Sequence, residues 1–174
     1  MVQLIDHSSI NRAGFGQAQM KGFLAGWLNL LRRRPNDLLS FRDVQHVMRL
    51  FNRIDRGLQY IDLDLIVGSV GRTHDFSRGF YPRDSVSEAR WESVNRLFYS
   101  AGLPPIEVYK VSDVYFVVDG HHRVSVCRSN ETEFIEAYVT EFHSPISINN
   151  YDDLNSISNK LRQSRKSSTH LVLT

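Results

Sequence analysis

Cysteine is almost absent from this sequence, since the 174 residues contain only Cys127. A single thiol cannot form an intramolecular disulfide, and its isolation excludes zinc sites built on paired cysteines. No apolar run approaches the roughly 20 residues that a membrane-spanning helix needs. The opening residues, MVQLIDHSSINRAGFG, lack the basic and apolar regions of a secretory signal peptide. These absences predict a cytoplasmic protein with no membrane partner.

The sequence also lacks an excess of either charge. Lysine and arginine number 21, aspartate and glutamate number 19, and the formal net charge is +2. The whole molecule is therefore not a strong polyanion binder, and any contact with nucleic acid must be local. Hydrophobic residues make up 41% of the chain, and this composition and length predict one soluble domain, or one domain with helical additions.

Residues 1–57 are predicted to form a helical extension. The first helix shows one-face apolar spacing, carried by Phe23, Leu24, Trp27, Leu28 and Leu31. It ends in Arg32, Arg33 and Arg34, which either complement the helix C-terminus or contact phosphates. The second helix is predicted to begin with a capping pattern at Ser40. A helix-turn-helix DNA reader made by the two helices stays open, although the sequence offers no specific turn signature for it. Neither helix can bury its apolar stripe alone, which predicts that the two helices pair with each other, with the downstream domain, or with a second copy of the chain in a homodimer.

Residues 58–145 carry a mixed pattern: strand, loop, helix, strand, strand, helix, strand. The first strand is predicted in LQYIDLDLIVGSVGR, and a helix follows a capping pattern at Ser85 and Glu88. Residues 146–174 read as a polar C-terminal tail with one weak amphipathic set. The predicted fold class is α+β, a small mixed β-sheet with helices, preceded by an N-terminal helical pair.

The most informative segment is YFVVDGHHRVSVCR at residues 115–128. Gly120 lies between a strand and a helix start, where only a residue without Cβ allows a sharp turn and close ligand approach. The helix start presents unpaired N–H groups and a partial positive charge, which together favour an anion. Arg123 adds a guanidinium suited to phosphate, and His121 and His122 can donate hydrogen bonds, ligate a metal or move a proton.

Plainer interpretations of the same residues stay open. Asp119 caps the helix or holds a metal such as Mg²⁺, and one histidine can simply bond a carbonyl. A transition-metal site made by His121 and His122 is disfavoured, because adjacent residues seldom reach one ion. Cys127 lies on the apolar side of its helix and is interpreted as core packing rather than as a nucleophile.

Several segments together resemble the ParB/sulfiredoxin-like superfamily, and the turn is closest to that of its free-serine kinases. The resemblance rests on LDLIVGSVGR, a capped helix, GLPPIEVYKV, YFVVDGHHRVSVCR and IEAYVTEF, in that order, over about residues 58–142. It implies that Gly120, His121, His122 and Arg123 hold nucleotide phosphates. Arg72 matches a basic residue that often follows the first strand in the family, which makes it a second phosphate-contact candidate.

The family's activities differ, and so do the cofactors that the resemblance implies. ParB proteins bind CTP with magnesium and clamp DNA, sulfiredoxins use ATP to repair cysteine, and the serine kinases phosphorylate a small hydroxyl substrate. The chain has His121 where sulfiredoxins need cysteine, and His121 and His122 where ParB proteins tend to carry glutamate and arginine. The segment IVGSVGR lacks the kinase carboxylate, although Asp64 precedes it and Asp75 follows it.

Three function classes follow from these residues and this resemblance. The first is a nucleotide-dependent kinase, NTPase or nuclease, with ATP or CTP and Mg²⁺, a proton-transferring histidine, and Asp75 or Asp119 at the metal. The second is a ParB-like DNA-binding regulator that contacts DNA through the N-terminal helices. The third is an interaction module that senses a nucleotide without chemistry.

Overall fold

The computed structural model describes residues 14–170, and these form an α+β fold with five helices and one six-stranded mixed sheet. The helices are α1 (Phe15–Leu31), α2 (Phe41–Met48), α3 (Glu88–Ser100), α4 (His121–Ser129) and α5 (Leu154–His170). The strands are β1 (Leu39–Ser40), β2 (Arg53–Asp62), β3 (Ile66–Ser69), β4 (Ile106–Val111), β5 (Val114–Asp119) and β6 (Phe134–Phe142). The predicted fold class is confirmed.

The sheet order, β1-β3-β5-β4-β6-β2, determines where a site can form. Strands β1, β3 and β5 are parallel neighbours, β4 is antiparallel to β5 and parallel to β6, and β2 closes the other edge antiparallel to β6. Because β3 and β5 are parallel, their carboxyl ends lie side by side at the same end of the sheet. In open α/β sheets, ligands bind at the carboxyl ends of the parallel strands.

Each sheet face has its own apolar core, and alternate residues of a strand point to different cores. On β5, Val117 packs in the core covered by α1, α3 and α4, whereas Phe116 packs in the core covered by α2 and α5. Trp91 of α3 is fully buried in the first core and donates its indole N–H to Ser125 of α4 at 2.9 Å. This contact fixes α4, the helix that follows Gly120, against α3.

The single strand predicted in LQYIDLDLIVGSVGR is wrong, because the segment forms two strands. A 3₁₀ turn at Leu63–Leu65 separates β2 from β3, and the Asp62 carboxylate caps that turn by accepting the Asp64 N–H at 2.7 Å. The cap predicted at Ser85 is also wrong, since Ser87 accepts the Arg90 N–H at the start of α3. The cap predicted at Ser40 is confirmed.

The two ends of the described chain are joined to the sheet. Strand β2 (Arg53–Asp62) spans the predicted boundary between residues 57 and 58. Helix α5 buries Ile157 and Leu161, where the sequence had indicated a weak amphipathic set in a polar tail. The domain boundaries at 57/58 and 145/146 stay predictions. None of the helices in residues 14–170 has the length and apolar character to cross a bilayer.

Candidate functional site

The corner between β5 and α4 is built on Gly120, whose backbone is left-handed with φ +102° and ψ 19°. A Cβ at this position would lie 2.4 Å from Cγ2 of Ile106, which is fully buried. Backbone angle and neighbour packing therefore both require glycine here. This agrees with the sequence prediction of a sharp glycine turn.

The amino end of α4 lacks the serine cap that α2 and α3 have. Ser40 caps α2 and Ser87 caps α3 with a side-chain oxygen, whereas Gly120, the N-cap of α4, has no side chain to offer. Asp119 lies one residue too early to be the N-cap, so its predicted capping role is wrong. The first N–H groups of α4 keep the partial positive charge that attracts anions at helix starts.

His121 is the first residue of α4, and its ring is buried against the end of β3. Its Nε2 lies 2.6 Å from Oγ of Ser69, a fully buried hydroxyl that donates to the carbonyl of Gly71 or of Val117. With the hydroxyl proton used in that way, Nε2 is the donor to Ser69. Burial, and after it the charge of Arg72, lowers the pKa of His121, so the ring is neutral at pH 7.

His122 is also buried, and its Nε2 lies 3.4 Å from Nη1 of Arg72. A guanidinium has no acceptor, so Nε2 accepts and the ring proton is on Nδ1. That Nδ1 is buried without a hydrogen-bond partner. Burial, followed by the charges of Arg72 and Arg90, lowers the pKa of His122 to about 4. His122 is therefore a neutral donor with one unused N–H.

Arg72 and Asp75 join the histidines from the loop after β3. Arg72 has a left-handed backbone at φ +58°, and its Nε donates to Asp75 at 2.7 Å. Asp75 also accepts the Ser85 hydroxyl at 3.0 Å. Burial pushes the pKa of Asp75 upward, but the hydrogen bonds from Arg72 and Ser85 outweigh it, and the pKa is lowered. Asp75 is therefore ionised and already engaged.

Arg123 and Asp119 form a separate pair. Nη2 of Arg123 donates to Asp119 at 2.6 Å, and Nη1 donates to the carbonyls of Pro104, at 3.0 Å, and Pro105. The structure thus brings Arg72, Asp75, His121 and His122 together and directs Arg123 to the segment before β4. A phosphate-binding role of Arg123 stays a prediction, and it would require this guanidinium to release protein partners.

A magnesium ion held by Asp119 stays a prediction. Its carboxylate is neutralised by Arg123, and residues 14–170 contain no group of three or more His, Cys, Asp or Glu side chains placed to hold a metal ion. The catalytic assignments of His121, His122 and Asp75 stay predictions.

Three residues of the cluster escaped sequence reasoning. Ser69 ends β3, and Phe76 and Phe80 are fully buried in the loop that the sequence indicated only as irregular. The Phe76 ring lies 6.2 Å from the His121 ring and 5.7 Å from the His122 ring, centroid to centroid. The sequence feature that could have indicated them is the presence of two phenylalanines, Phe76 and Phe80, in a short polar loop. Cys127 is buried in the first core, as its packing interpretation predicted, and burial raises the pKa of its thiol.

The similarity of this chain to known proteins is to solved structures. No protein-family model matches the chain, and no curated protein matches it. Among solved structures, the chain is similar to the crystal structure of sulfiredoxin from Arabidopsis thaliana, with a TM-score of 0.39 and 16% sequence identity. That similarity covers 62% of this chain and 96% of the sulfiredoxin chain.

Proposed function

We propose that this protein binds a nucleotide through its phosphates at the amino end of α4 and acts as a nucleotide-sensing module of the ParB/sulfiredoxin-like type. The observation that carries the proposal is the start of α4, which has no side-chain cap and lies beside Arg72 where the carboxyl ends of β3 and β5 meet. A helix start with free amide donors and a neighbouring guanidinium is a suitable phosphate cradle.

Arg72 is the side chain best placed to add charge to that cradle. Its side chain is 39% exposed, and its contacts with Asp75 and His122 use two of the five guanidinium donors. Donors therefore remain for phosphate oxygens. The ion pair with Asp75 holds the guanidinium in place, which reduces the entropy that a ligand would have to remove.

The two histidines support binding by hydrogen bonding rather than by charge. Both are neutral at pH 7 because burial lowers the pKa of each ring. The unused Nδ1–H of His122 is a buried donor, and an unpaired buried donor costs about 1–3 kcal/mol. A phosphate oxygen drawn into the corner would relieve that cost.

The hydrogen bonds of the Asp75 carboxylate favour nucleotide sensing over nucleotide turnover. Asp75 is held by Arg72 and Ser85, so it is a poor general base. Both histidine rings are buried, and the Nε2 atom of each is hydrogen-bonded within the protein. Kinase, NTPase or nuclease activity would appear as product formation from bound nucleotide, which phosphate-release and DNA-cleavage assays would detect.

Isothermal titration of the full chain with ATP, CTP, GTP and UTP, with magnesium and with a chelator, tests the proposal. Arg72→Gln should weaken nucleotide binding by about 10- to 100-fold, because a charge-assisted hydrogen bond is lost. Arg96→Gln, on the exposed side of α3, removes the same charge and should leave affinity unchanged. Equal affinity for Arg72→Gln and wild type would contradict the proposal, as would the absence of binding at millimolar nucleotide.

The same titration series resolves the remaining assignments. Arg123→Gln weakens binding strongly only if that guanidinium leaves Asp119 to contact phosphate. If nucleotide fails to bind while duplex DNA binds with a steep salt dependence, the ParB-like DNA-binding alternative replaces the proposal. The basic residues to substitute in that case are Arg32, Arg33 and Arg34.

A further inference from the structure

Helix α1 packs with its small side chains inward. Phe15 and Ala18 are buried, a Cβ on Gly22 would lie 2.6 Å from Cβ of Tyr81, and a Cβ on Gly26 would lie 3.2 Å from the Asn36 amide. These four residues follow helical one-face spacing, so this face of α1 lies against the protein body. The large apolar residues of α1 therefore do not pack on the body of their own chain, and of the predicted alternatives the pairing with a second copy stays a prediction.

The opposite side of α1 exposes its large apolar residues, each at least 50% exposed. This α1 apolar face consists of Met20, Phe23, Leu24, Trp27, Leu28, Leu30 and Leu31. Judged from the size of such side chains, the face presents on the order of 800 Å². The largest apolar patch of a typical monomer is about 300–600 Å², and each partner of a standard protein interface contributes about 800 Å².

We infer that a second copy of this chain covers the α1 apolar face, with the two α1 helices antiparallel. The centre of the face follows a coiled-coil seam, because Met20, Leu24, Trp27 and Leu31 are spaced by four, three and four residues. A homodimer around a two-fold axis needs a patch that is complementary to itself. The antiparallel arrangement satisfies that requirement, because it places Leu24 opposite Trp27 of the second copy and Met20 opposite Leu31 of the second copy.

The charges flanking the face favour the antiparallel arrangement. This register places Arg32 of the second copy opposite Gln19, whose amide donates to the exposed Asp84 at 3.3 Å. No Asp or Glu occurs within residues 14–34, so α1 itself offers no counter-charge. Parallel helices would bring the arginines of both copies together.

Sedimentation equilibrium of the full chain tests the inference, and it is independent of nucleotide binding. The wild type should be a dimer at micromolar concentration. Leu24→Glu should raise the dimer dissociation constant at least about 100-fold, because each copy loses a buried leucine and buries a charge. Leu24 is mostly exposed in the monomer, so circular dichroism melting should show the variant folded. Leu58→Glu, on the exposed face of β2, is the matched control and should remain dimeric.

A charge exchange tests the register. Arg32→Glu and Asp84→Arg should each weaken the dimer about 3- to 10-fold, and the double variant should recover most of the wild-type affinity. A monomeric wild type at about 100 μM would overturn the inference, whether or not that monomer binds phosphatidylglycerol vesicles. A dimer that Leu24→Glu leaves intact would overturn it as well, and a double variant without recovery would overturn the antiparallel register.

Discussion

Replacing Gly120 by alanine separates the backbone requirement of the α4 corner from its packing requirement. The left-handed backbone at φ +102° costs a residue with Cβ about 1–2 kcal/mol. The new Cβ would also lie 2.4 Å from Cγ2 and 2.9 Å from Cβ of Ile106. Ile106 is fully buried in the first core, and forcing such a side chain to move costs about 1–3 kcal/mol. Gly120→Ala should therefore destabilise the protein by about 2–5 kcal/mol.

Gly102→Ala is the matched control for that variant. Gly102 has φ +78°, but nothing lies within 4 Å of a Cβ built there, so only the backbone cost of about 1–2 kcal/mol applies. Urea denaturation of both variants gives the two free energies of unfolding. If Gly120→Ala costs no more than Gly102→Ala, Ile106 does not press on the corner and the packing argument fails.

Two further predictions concern buried charged or titratable side chains, His122 and Arg78. The pKa of His122 is about 4 in the fold and about 6.5 when unfolded, so the unfolded state binds more protons between these values and the protein loses stability as the pH falls from about 6.5 to about 4. Urea denaturation at pH 7 and at pH 4.5 gives the free energy of unfolding at each pH. Between the two, the wild type should lose about 2–3 kcal/mol more of it than His122→Asn does, and equal losses would contradict the lowered pKa of His122. Buried Arg78 donates to the carbonyls of Asp37, Asn150 and Asp152, so Arg78→Met should cost about 3–5 kcal/mol. The exposed Arg42→Met should change the unfolding free energy by less than about 0.5 kcal/mol, and similar values for both variants would refute the role of Arg78.

Local backbone chemistry was the part of this fold that the sequence could predict. The corner at Gly120 and the cap at Ser40 each depend on a few neighbouring residues, so the pattern in the chain was sufficient. The turn at Leu63–Leu65 was hidden because apolar alternation continues through it while Asp62 provides the cap. Periodicity also predicted a helix in the region of α1, without indicating which side would face the body.

The site shows the same division between local and distant contacts. Arg123 follows Asp119 by four residues, and this short spacing let the two pair with each other instead of facing a ligand. Arg72 is 50 residues from His122, and only the parallel pairing of β3 with β5 brings them together. The resemblance pointed to Arg72 as a candidate, but its contacts with Asp75 and His122 depend on the tertiary fold.

Backbone amide NMR of the ¹⁵N-labelled chain, titrated with ATP and with CTP, tests the central claim most directly. If phosphates bind at the uncapped start of α4, the largest chemical-shift changes should occur at the amides of His121, His122 and Arg123, with a further change at the Arg72 side chain. Unchanged amides at the start of α4 under saturating nucleotide would contradict the claim, as would shifts centred elsewhere in the protein.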